Sequence, residues 1–229
     1  MSIFRRRLMT NIKKSDLPSG YKKVKYLQST GTQYFNLGIT PKKNFGSYQK
    51  CSKTDAEANE VLFGCRNDSG QTRFMGFSAY RGDLSLGYMV YLYFNKNTYD
   101  TGTTNEATNI PYINNTVFEG WVNYKNDRLV KAKSENGDFD FTALNKIGSS
   151  AYPDLTTFTK PIYVFGYMNY TNVVTPCSCR IYDLEITDNE EVVSKLIPCL
   201  DNNNKPCMYD VVRKITFYNE GTGEFLYGN

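Results

Sequence analysis

Histidine is absent from the 229-residue chain, and this absence removes several enzyme classes at once. Ser-His-Asp and Cys-His mechanisms both use an imidazole as the general base, so neither can be assembled within this chain. The glycines at positions 82, 87, 221 and 223 follow no phosphate-loop spacing and do not stand between a strand pattern and a helix pattern. We therefore expect no enzyme of the triad or phosphate-loop type.

Long apolar runs are also missing. The first residues are basic, but the apolar pair Leu8-Met9 gives way to Thr10, Asn11 and Ile12 and then to two lysines. A secretory signal needs an apolar core of about 7 to 15 residues, and a membrane-spanning helix needs about 20. We therefore expect no membrane span and no signal peptide, and we expect synthesis in the cytoplasm.

Helical patterns are absent as well, because no segment keeps an apolar period of about 3.6 residues between recognisable caps. Short segments instead alternate apolar and polar residues between turn-forming residues, which is typical of strands. These segments are 46–51, 61–65, 73–77, 86–94, 117–124, 128–133, 162–167, 178–187 and 192–197. Residues 95–116 are predicted to form a long polar loop or a meandering edge, and residues 134–159 are a second polar region.

The two ends of the chain carry the strongest strand patterns. Residues 17–39 read LPSGYKKVKYLQSTGTQYFNLGI, and residues 196–229 read LIPCLDNNNKPCMYDVVRKITFYNEGTGEFLYGN. Because both alternate apolar and polar residues between turns, we expect the first and last strands to meet in one closed β unit. The predicted architecture is all-β, with two antiparallel sheets packed face to face as a jelly-roll sandwich.

The six cysteines do not indicate a disulfide-stapled or metal-binding protein. A chain made in the cytoplasm keeps its thiols reduced, and buried thiols are ordinary core residues. Four of the cysteines admit a zinc site in principle, but their spacing contains no CxxC pair and the chain has no histidine. These four are Cys177, Cys179, Cys199 and Cys207. Clustered acids of the kind that bind calcium are also missing, so we expect no metal and no cofactor.

Positive charge is concentrated near the N-terminus. Residues 1–25 contain eight of the 27 basic residues and one of the 23 acidic residues, so this segment carries +7 and the remainder −3. We divide the chain into a basic arm, residues 1–16, and a β-sandwich domain, residues 17–229. Such an arm can bind nucleic acid, an acidic protein surface or anionic lipid, and a solvated tail is the alternative. The predicted docking residues of the arm are Arg5, Arg6, Arg7, Lys13 and Lys14.

Several motifs together resemble a known family. STGTQY near the N-terminus, with IPC, PCMYD and NEGTGEFLYG near the C-terminus, resembles the laminin-G-like branch of the concanavalin A-like lectin/glucanase sandwiches. PIYVFGYMNY at 161–170 and RIYDLEI at 180–186 extend the resemblance over nearly the whole domain. Close relatives occur in gut Bacteroidales and in the crAss-like phages that infect them. The resemblance implies the sandwich fold, but it does not imply one ligand or activity.

Some members of the wider family are glycosidases with an ExDxxE motif, and Asp183, Glu185 and Asp188 match its spacing with the residue types exchanged. Retaining hydrolysis needs two carboxyl groups about 5 to 5.5 Å apart. Aspartate replaces glutamate at each end of the motif, and its shorter side chain extends less far toward a sugar. Asp188 also falls in a predicted turn, where Asp is favoured by the backbone. The alternation predicts a core face formed by Tyr182, Leu184 and Ile186. It places Asp183 and Glu185 on the solvent side, so we expect no catalysis.

Sugar binding is a stronger candidate than catalysis, because lectins combine an aromatic platform with amide and acid side chains that bind hydroxyl groups. Two predicted loops carry such residues. The candidate glycan-binding residues are Tyr167, Asn169, Tyr170 and Asn172 in one loop, and Tyr99 and Asp100 in the other. The chain is rich in Tyr and Asn throughout, so an overall compositional bias is the alternative interpretation.

The function predicted from these observations is that of a non-catalytic structural or interaction protein of a bacteriophage virion. It would decorate the capsid or be associated with a fibre or the tail, after synthesis in the bacterial cytoplasm. The basic arm would bind other virion proteins, and a host-surface or mucin glycan is a further candidate partner. We expect no direct binding to nucleic acid. A bacterial carbohydrate-binding module and, more remotely, a glycoside hydrolase remain as alternatives.

Overall fold

The structure is a computed structural model that describes residues 16–42, 45–54, 60–66, 73–81, 88–94, 115, 117–122, 128–133, 140–144, 158–169, 171 and 174–229. These residues contain nineteen strands in two sheets, and they contain no α-helix. The all-β prediction is therefore confirmed. The part of the chain described here includes no helix of the length and apolarity that crossing a membrane requires.

The larger sheet has eleven strands, and all of its strand pairs are antiparallel. Its strands are β1 (Lys22–Lys23), β2 (Tyr26–Thr30), β4 (Phe45–Lys53), β9 (Val117–Val122), β10 (Arg128–Lys133), β11 (Asp140–Leu144), β15 (Ser178–Asp188), β16 (Glu191–Leu200), β17 (Pro206–Asp210), β18 (Ile215–Phe217) and β19 (Leu226–Gly228). Its main strand order is β11-β10-β9-β4-β15-β16-β17-β18. β11 lies inside the polar region 134–159, where the sequence pattern predicts no strand.

The smaller sheet has eight strands, and its pairs are antiparallel except for the parallel pair of β6 and β13. Its strands are β3 (Phe35–Asn36), β5 (Glu60–Val61), β6 (Phe63–Arg66), β7 (Arg73–Arg81), β8 (Tyr88–Phe94), β12 (Tyr163–Val164), β13 (Gly166–Met168) and β14 (Val174–Pro176).

One apolar core holds the two sheets together. Phe35 and Phe63 of the smaller sheet and Leu27, Ile181 and Leu184 of the larger sheet belong to the same buried cluster, and none of these side chains is more than 2% exposed. Since alternate residues of a strand face opposite sides of a sheet, the inner faces of the two sheets supply this cluster. The structure is thus a two-sheet, sandwich-like all-β fold.

The ends of the chain meet, as the sequence predicted. β1 and β2 enter the open end of the β15–β16 hairpin: Lys23 lies opposite Cys199 of β16, and Leu27 lies opposite Ile181 of β15. On its other edge, β2 pairs with the last strand, β19, where Leu27 lies opposite Tyr227. The first strands are therefore fixed between the last part of the chain and the central hairpin.

Residues of the terminal motifs have structural roles. In STGTQY, the Gln33 side-chain oxygen accepts a hydrogen bond from the Thr30 backbone N–H at 2.7 Å and closes the turn after β2. In NEGTG, the Glu220 backbone N–H donates to the Tyr34 carbonyl at 2.8 Å. A Cβ atom added at Gly221 would lie 1.9 Å from the Thr32 carbonyl oxygen, so only glycine allows this close approach.

A β-bulge in β15 overturns one prediction. The register with β4 shifts between Ile181 and Asp183, so Tyr182 is an extra residue without a Cα partner on β4. The buried positions change parity across this shift, from Cys179 and Ile181 to Leu184 and Ile186. Tyr182 is therefore half-buried beside Tyr26 and does not belong to the core face, because one inserted residue reverses the alternation.

Candidate functional site

The predicted loop after β13 is described in part. Tyr167 lies in β13 and is half-buried, and Asn169 follows that strand. The Asn169 side-chain oxygen accepts hydrogen bonds from the Thr171 backbone N–H at 2.9 Å and from its hydroxyl at 2.7 Å. The Asn169 carbonyl accepts a third from Lys160 Nζ at 2.9 Å. These bonds give Asn169 a role in shaping the turn, and sugar binding by Tyr167 and Asn169 stays a prediction.

The other residues predicted to form sites lie outside the residues that the structure describes. They are Tyr99, Asp100, Tyr170 and Asn172 among the candidate glycan ligands, and Arg5, Arg6, Arg7, Lys13 and Lys14 of the basic arm.

Glu185 and Asp188 of β15 do not lie together as a glycosidase pair would. Glu185 is only 7% exposed, and its Oε1 is 2.8 Å from Lys195 Nζ on β16, so the prediction that it faces solvent is wrong. It is buried because it lies between Tyr48 of β4 and Lys195 in the middle of the sheet. Asp188 is three residues further along the strand and thus on the opposite face, where its Oδ2 is 3.3 Å from Lys42 Nζ. The two groups cannot flank one glycosidic bond.

The four cysteines considered as zinc ligands separate into two pairs in different clusters. Cys177 and Cys179 belong to the main core with their sulfur atoms 3.0 Å apart. Cys199 and Cys207 face each other across β16 and β17 at 3.5 Å, in a smaller cluster with Tyr209. No group of three or more His, Cys, Asp or Glu residues within the described ranges is arranged to hold a metal.

A groove that no sequence pattern predicts lies where β2 and β19 pair, beside the loop between β16 and β17. Its volume is about 560 Å³, within the range of about 300 to 1,000 Å³ that is usual for small-ligand sites. Its lining includes Tyr26, Gln28, Asn204, Glu224, Leu226 and Tyr227. We call it the β2–β19 groove.

Tyr26 is held firmly at one wall of this groove. Its ring centroid is 5.3 Å from that of Tyr182, and the Arg180 guanidinium carbon is 4.8 Å from the ring centroid. A Cβ atom added at Gly228 would lie 2.3 Å from the ring, so the ring rests directly on the glycine backbone. The bulge that turns Tyr182 away from the core therefore helps to order the groove.

Leu226 lies beside Gln28 on the groove side of β19, whereas the side chain of Tyr227, opposite Leu27, points to the other face of the sheet. Tyr227 is 44% exposed and Leu226 is 52% exposed, in a strand that pairs with β2 on one edge. Phe225, the residue before them, is buried in the core and anchors the strand.

The loop that carries Asn204 is fixed by Asp201. The Asp201 carboxylate accepts hydrogen bonds from the backbone N–H groups of Asn203 and Lys205, at 2.8 and 2.9 Å, and from the Tyr218 hydroxyl at 2.9 Å. The Lys205 backbone bond, followed by those from Tyr218 and Asn203, lowers the pKa of Asp201. Burial, followed by donation to Asp201, raises the pKa of Tyr218. This network holds Asn204 at φ +60°, which Asn tolerates.

Only part of the β2–β19 groove was visible in the sequence. The alternation of β2 places Tyr26 and Gln28 on the face opposite to Leu27 and Ser29. Their approach to Asn204 and to the final strand depends on pairings between distant parts of the chain, which no local pattern contains.

The chain matches no protein-family profile, and it has no significant match among curated proteins or among solved structures.

Proposed function

We propose that the chain is a non-catalytic structural and interaction protein of a bacteriophage virion, in which a laminin-G-like jelly-roll sandwich is displayed on the particle. The basic arm binds other virion proteins, at the capsid, a fibre or the tail. The sandwich faces outward and offers the β2–β19 groove to an external ligand such as a host-surface or mucin glycan.

The observation that carries the proposal is the position of the positive charge relative to the folded domain. The basic arm ends immediately before Leu17, and Leu17 packs with Tyr21 and Tyr218 against the buried cluster of Cys199 and Cys207. Because Leu17 is anchored in the domain, the positive charge of the basic arm lies next to the domain, where it can bind an acidic protein surface. The resemblance of the terminal motifs to phage-associated sandwiches also supports a virion role.

The described chemistry supports a non-catalytic role. Glu185 and Asp188 are used in ion pairs with lysines, and strand alternation puts them on opposite faces of the sheet. A glycosidase needs two carboxyl groups on either side of one bond. We therefore expect no release of reducing sugar from glycan substrates. Release that is lost in Glu185→Gln would favour the hydrolase alternative.

Two variants that keep the whole sandwich domain test the role of the basic arm. One lacks residues 1–16, and the other carries Arg5→Gln, Arg6→Gln and Arg7→Gln. We expect both to fold, by circular dichroism and thermal melting, and to be lost from gradient-purified particles. Replacement of the same arginines by lysine is the matched control and keeps incorporation. Normal incorporation of the truncated chain would refute the role of the arm.

A bacterial carbohydrate-binding module is the second candidate, and the β2–β19 groove favours it because its lining combines Tyr26 with amide and acid side chains. The two candidates differ in where the chain is found. Glycan binding by a chain that never enters particles would support the second candidate, whereas incorporation into particles through the arm supports the first.

A further inference from the structure

Cys199 and Cys207 lie directly opposite each other on β16 and β17. Both are fully buried, and their Sγ atoms are 3.5 Å apart. Directly opposed residues of antiparallel strands have Cα atoms about 4.5 to 5.5 Å apart, and disulfides join residues whose Cα atoms are about 4.4 to 6.8 Å apart. The two strands can therefore accept a disulfide at this position while their pairing is kept.

This pair is on the face of the larger sheet that points away from the main core. Met208, the residue after Cys207, belongs to the main core, so Cys207 and Cys199 opposite it point to the other face. There they belong to a small cluster whose half-buried cover includes Leu17 and Tyr21. Leu17 is the first residue of the domain after the basic arm. Opening of this short entry segment can expose the two sulfur atoms while the main core stays closed.

The other close pair, Cys177 and Cys179, is less suited to a disulfide, although its Sγ atoms are 3.0 Å apart. Residues i and i+2 of an extended chain are about 6.4 to 6.8 Å apart, which is the upper end of the range that disulfides join. Both thiols also belong to the main core between the two sheets, so a reagent reaches them only if the sandwich opens.

We infer that Cys199 and Cys207 form a disulfide after the chain has left the reducing cytoplasm. This inference rests on the proposed function, since a particle that leaves its cell carries the chain into an oxidising medium. The oxidant is a low-molecular-weight disulfide, such as oxidised glutathione or cystine. Inside the cell the reducing medium keeps both thiols free.

The reaction consists of two thiol–disulfide exchanges. The thiolate of one cysteine attacks a sulfur atom of the small disulfide, forms a mixed disulfide and releases one small thiolate, which takes up the proton that the cysteine lost. The thiolate of the other cysteine then attacks the protein sulfur atom of the mixed disulfide and releases the second small thiolate, which is protonated in the same way. Two protein thiols are thus oxidised, and one small disulfide is reduced to two thiols.

The bond connects β16 and β17 within the cluster on which Leu17 packs. It closes the chain from 199 to 207, which includes the loop held by Asp201, and so restricts the unfolded state. The oxidised chain should therefore unfold at a higher urea concentration than the reduced chain. The anchor of the basic arm is then held more firmly outside the cell than inside it.

The test incubates the full chain with oxidised glutathione for several hours under native conditions and alkylates the remaining thiols after unfolding. The segment 196–213 contains these two cysteines and no other, so a peptide that spans it reports on the pair alone. We expect this peptide to be unalkylated and about 2 Da lighter than its reduced form, and to be alkylated twice after treatment with dithiothreitol. The inference is overturned if this segment stays reduced, or if Cys177 and Cys179 are joined instead, while circular dichroism shows the native fold.

Cys207→Ser is the matched variant, because it removes one sulfur atom and keeps a side chain of nearly the same size. It should stop at the mixed disulfide of Cys199 with glutathione. Cys177→Ser is the comparison, and it should form the bond at the native rate. Equal loss of the bond in the two variants would contradict the assignment to Cys199 and Cys207.

The rate of oxidation tests the route through the entry segment. Leu17→Ala thins the cover of the small cluster, whereas Ile39→Ala removes a similar half-buried side chain that packs against the main core. Oxidation should be several-fold faster in Leu17→Ala and close to the native rate in Ile39→Ala. Equal acceleration in the two variants would show that the thiols react through global unfolding, contrary to the inference.

Particles purified without a reducing agent separate this inference from the proposed function. A chain that is present in particles with both thiols reduced contradicts the disulfide alone. A purified chain that forms the bond but is absent from particles contradicts the virion role alone. An oxidised pair in released particles, together with a reduced pair in cells that are alkylated before lysis, supports both.

Discussion

Asp210 and Arg213 form an ion pair in which Arg213 Nε donates to the fully buried Asp210 Oδ2 at 2.6 Å. Ser194 Oγ donates to the same oxygen at 2.6 Å, and Arg213 also reaches the Leu37 carbonyl at 2.9 Å. One carboxylate thus connects β16, the end of β17 and the segment after β3. Asp210, the last residue of the PCMYD motif, therefore has a structural role.

Asp210→Ala should therefore be strongly destabilising, because it leaves the Arg213 guanidinium and the Ser194 hydroxyl without their acceptor. We expect a loss of about 3 to 5 kcal/mol in the free energy of unfolding, the usual effect of removing one partner of a buried pair. Asp188→Ala breaks the pair with Lys42, which is 71% exposed, and should cost less than about 1 kcal/mol. Urea unfolding measures both. Equal losses in the two variants would show that the Asp210 network is not the stronger connection.

Gly221→Ala should destabilise the contact between the NEGTG loop and the segment after β2. The new methyl group would lie 1.9 Å from the Thr32 carbonyl oxygen, which is backbone and cannot turn aside. We expect a loss of about 1 to 3 kcal/mol from this overpacking. Gly38→Ala is the comparison: it has open space but a φ of +70°, so it should show only the strain of about 1 kcal/mol. Thermal melts that rank Gly38→Ala as the more damaging change would contradict the packing argument.

Acid should weaken the loop that supports Asn204. The hydrogen bonds to Asp201 lower its pKa in the folded state, below the unfolded value of about 3.9. The unfolded state then binds this proton more readily, so the stabilisation is present above the unfolded pKa and is lost as pH falls through the folded pKa. Asp201→Asn should lower stability at neutral pH, and its difference from the native chain should shrink below about pH 4. Urea midpoints that differ by a constant amount down to that pH would count against this account.

The cysteine thiols should be unreactive while the protein is folded. All six are buried and free. Burial raises the pKa of Cys51, and the hydrogen bond to Cys199, together with burial, raises the pKa of Cys207. Since the thiolate is the reactive form, iodoacetamide near pH 8 should label the folded protein slowly and the urea-unfolded protein quickly. Rapid labelling of Cys51 or Cys207 in the folded protein, located by peptide mapping, would contradict the buried positions.

The sequence predicted the features that depend on local alternation. The turn after Asp188 is one example, since Asn189 and Glu190 both have positive φ and close the β15–β16 hairpin. The meeting of the two ends is another, because each end carries its own strand pattern. Apolar alternation within a few residues specifies which face of a strand is buried.

The features that the sequence did not predict depend on irregularity or on distant pairing. Tyr182 was assigned to the core because the bulge adds one residue that the period of two cannot reveal. Glu185 was assigned to solvent because its burial comes from Tyr48 and Lys195 on neighbouring strands. The β2–β19 groove depends on Asn204 and Leu226 lying beside β2, and that approach is a property of the whole topology.

The central claim, that this chain is carried on a phage particle, is tested most directly by quantitative mass spectrometry of particles purified on a density gradient from a lysate that produces the chain. The account predicts peptides from both the basic arm and the sandwich domain, at a fixed copy number relative to the major capsid protein that survives repeated washing at physiological ionic strength. Absence of the chain from the particles, or a copy number that falls steadily with each wash, would contradict it.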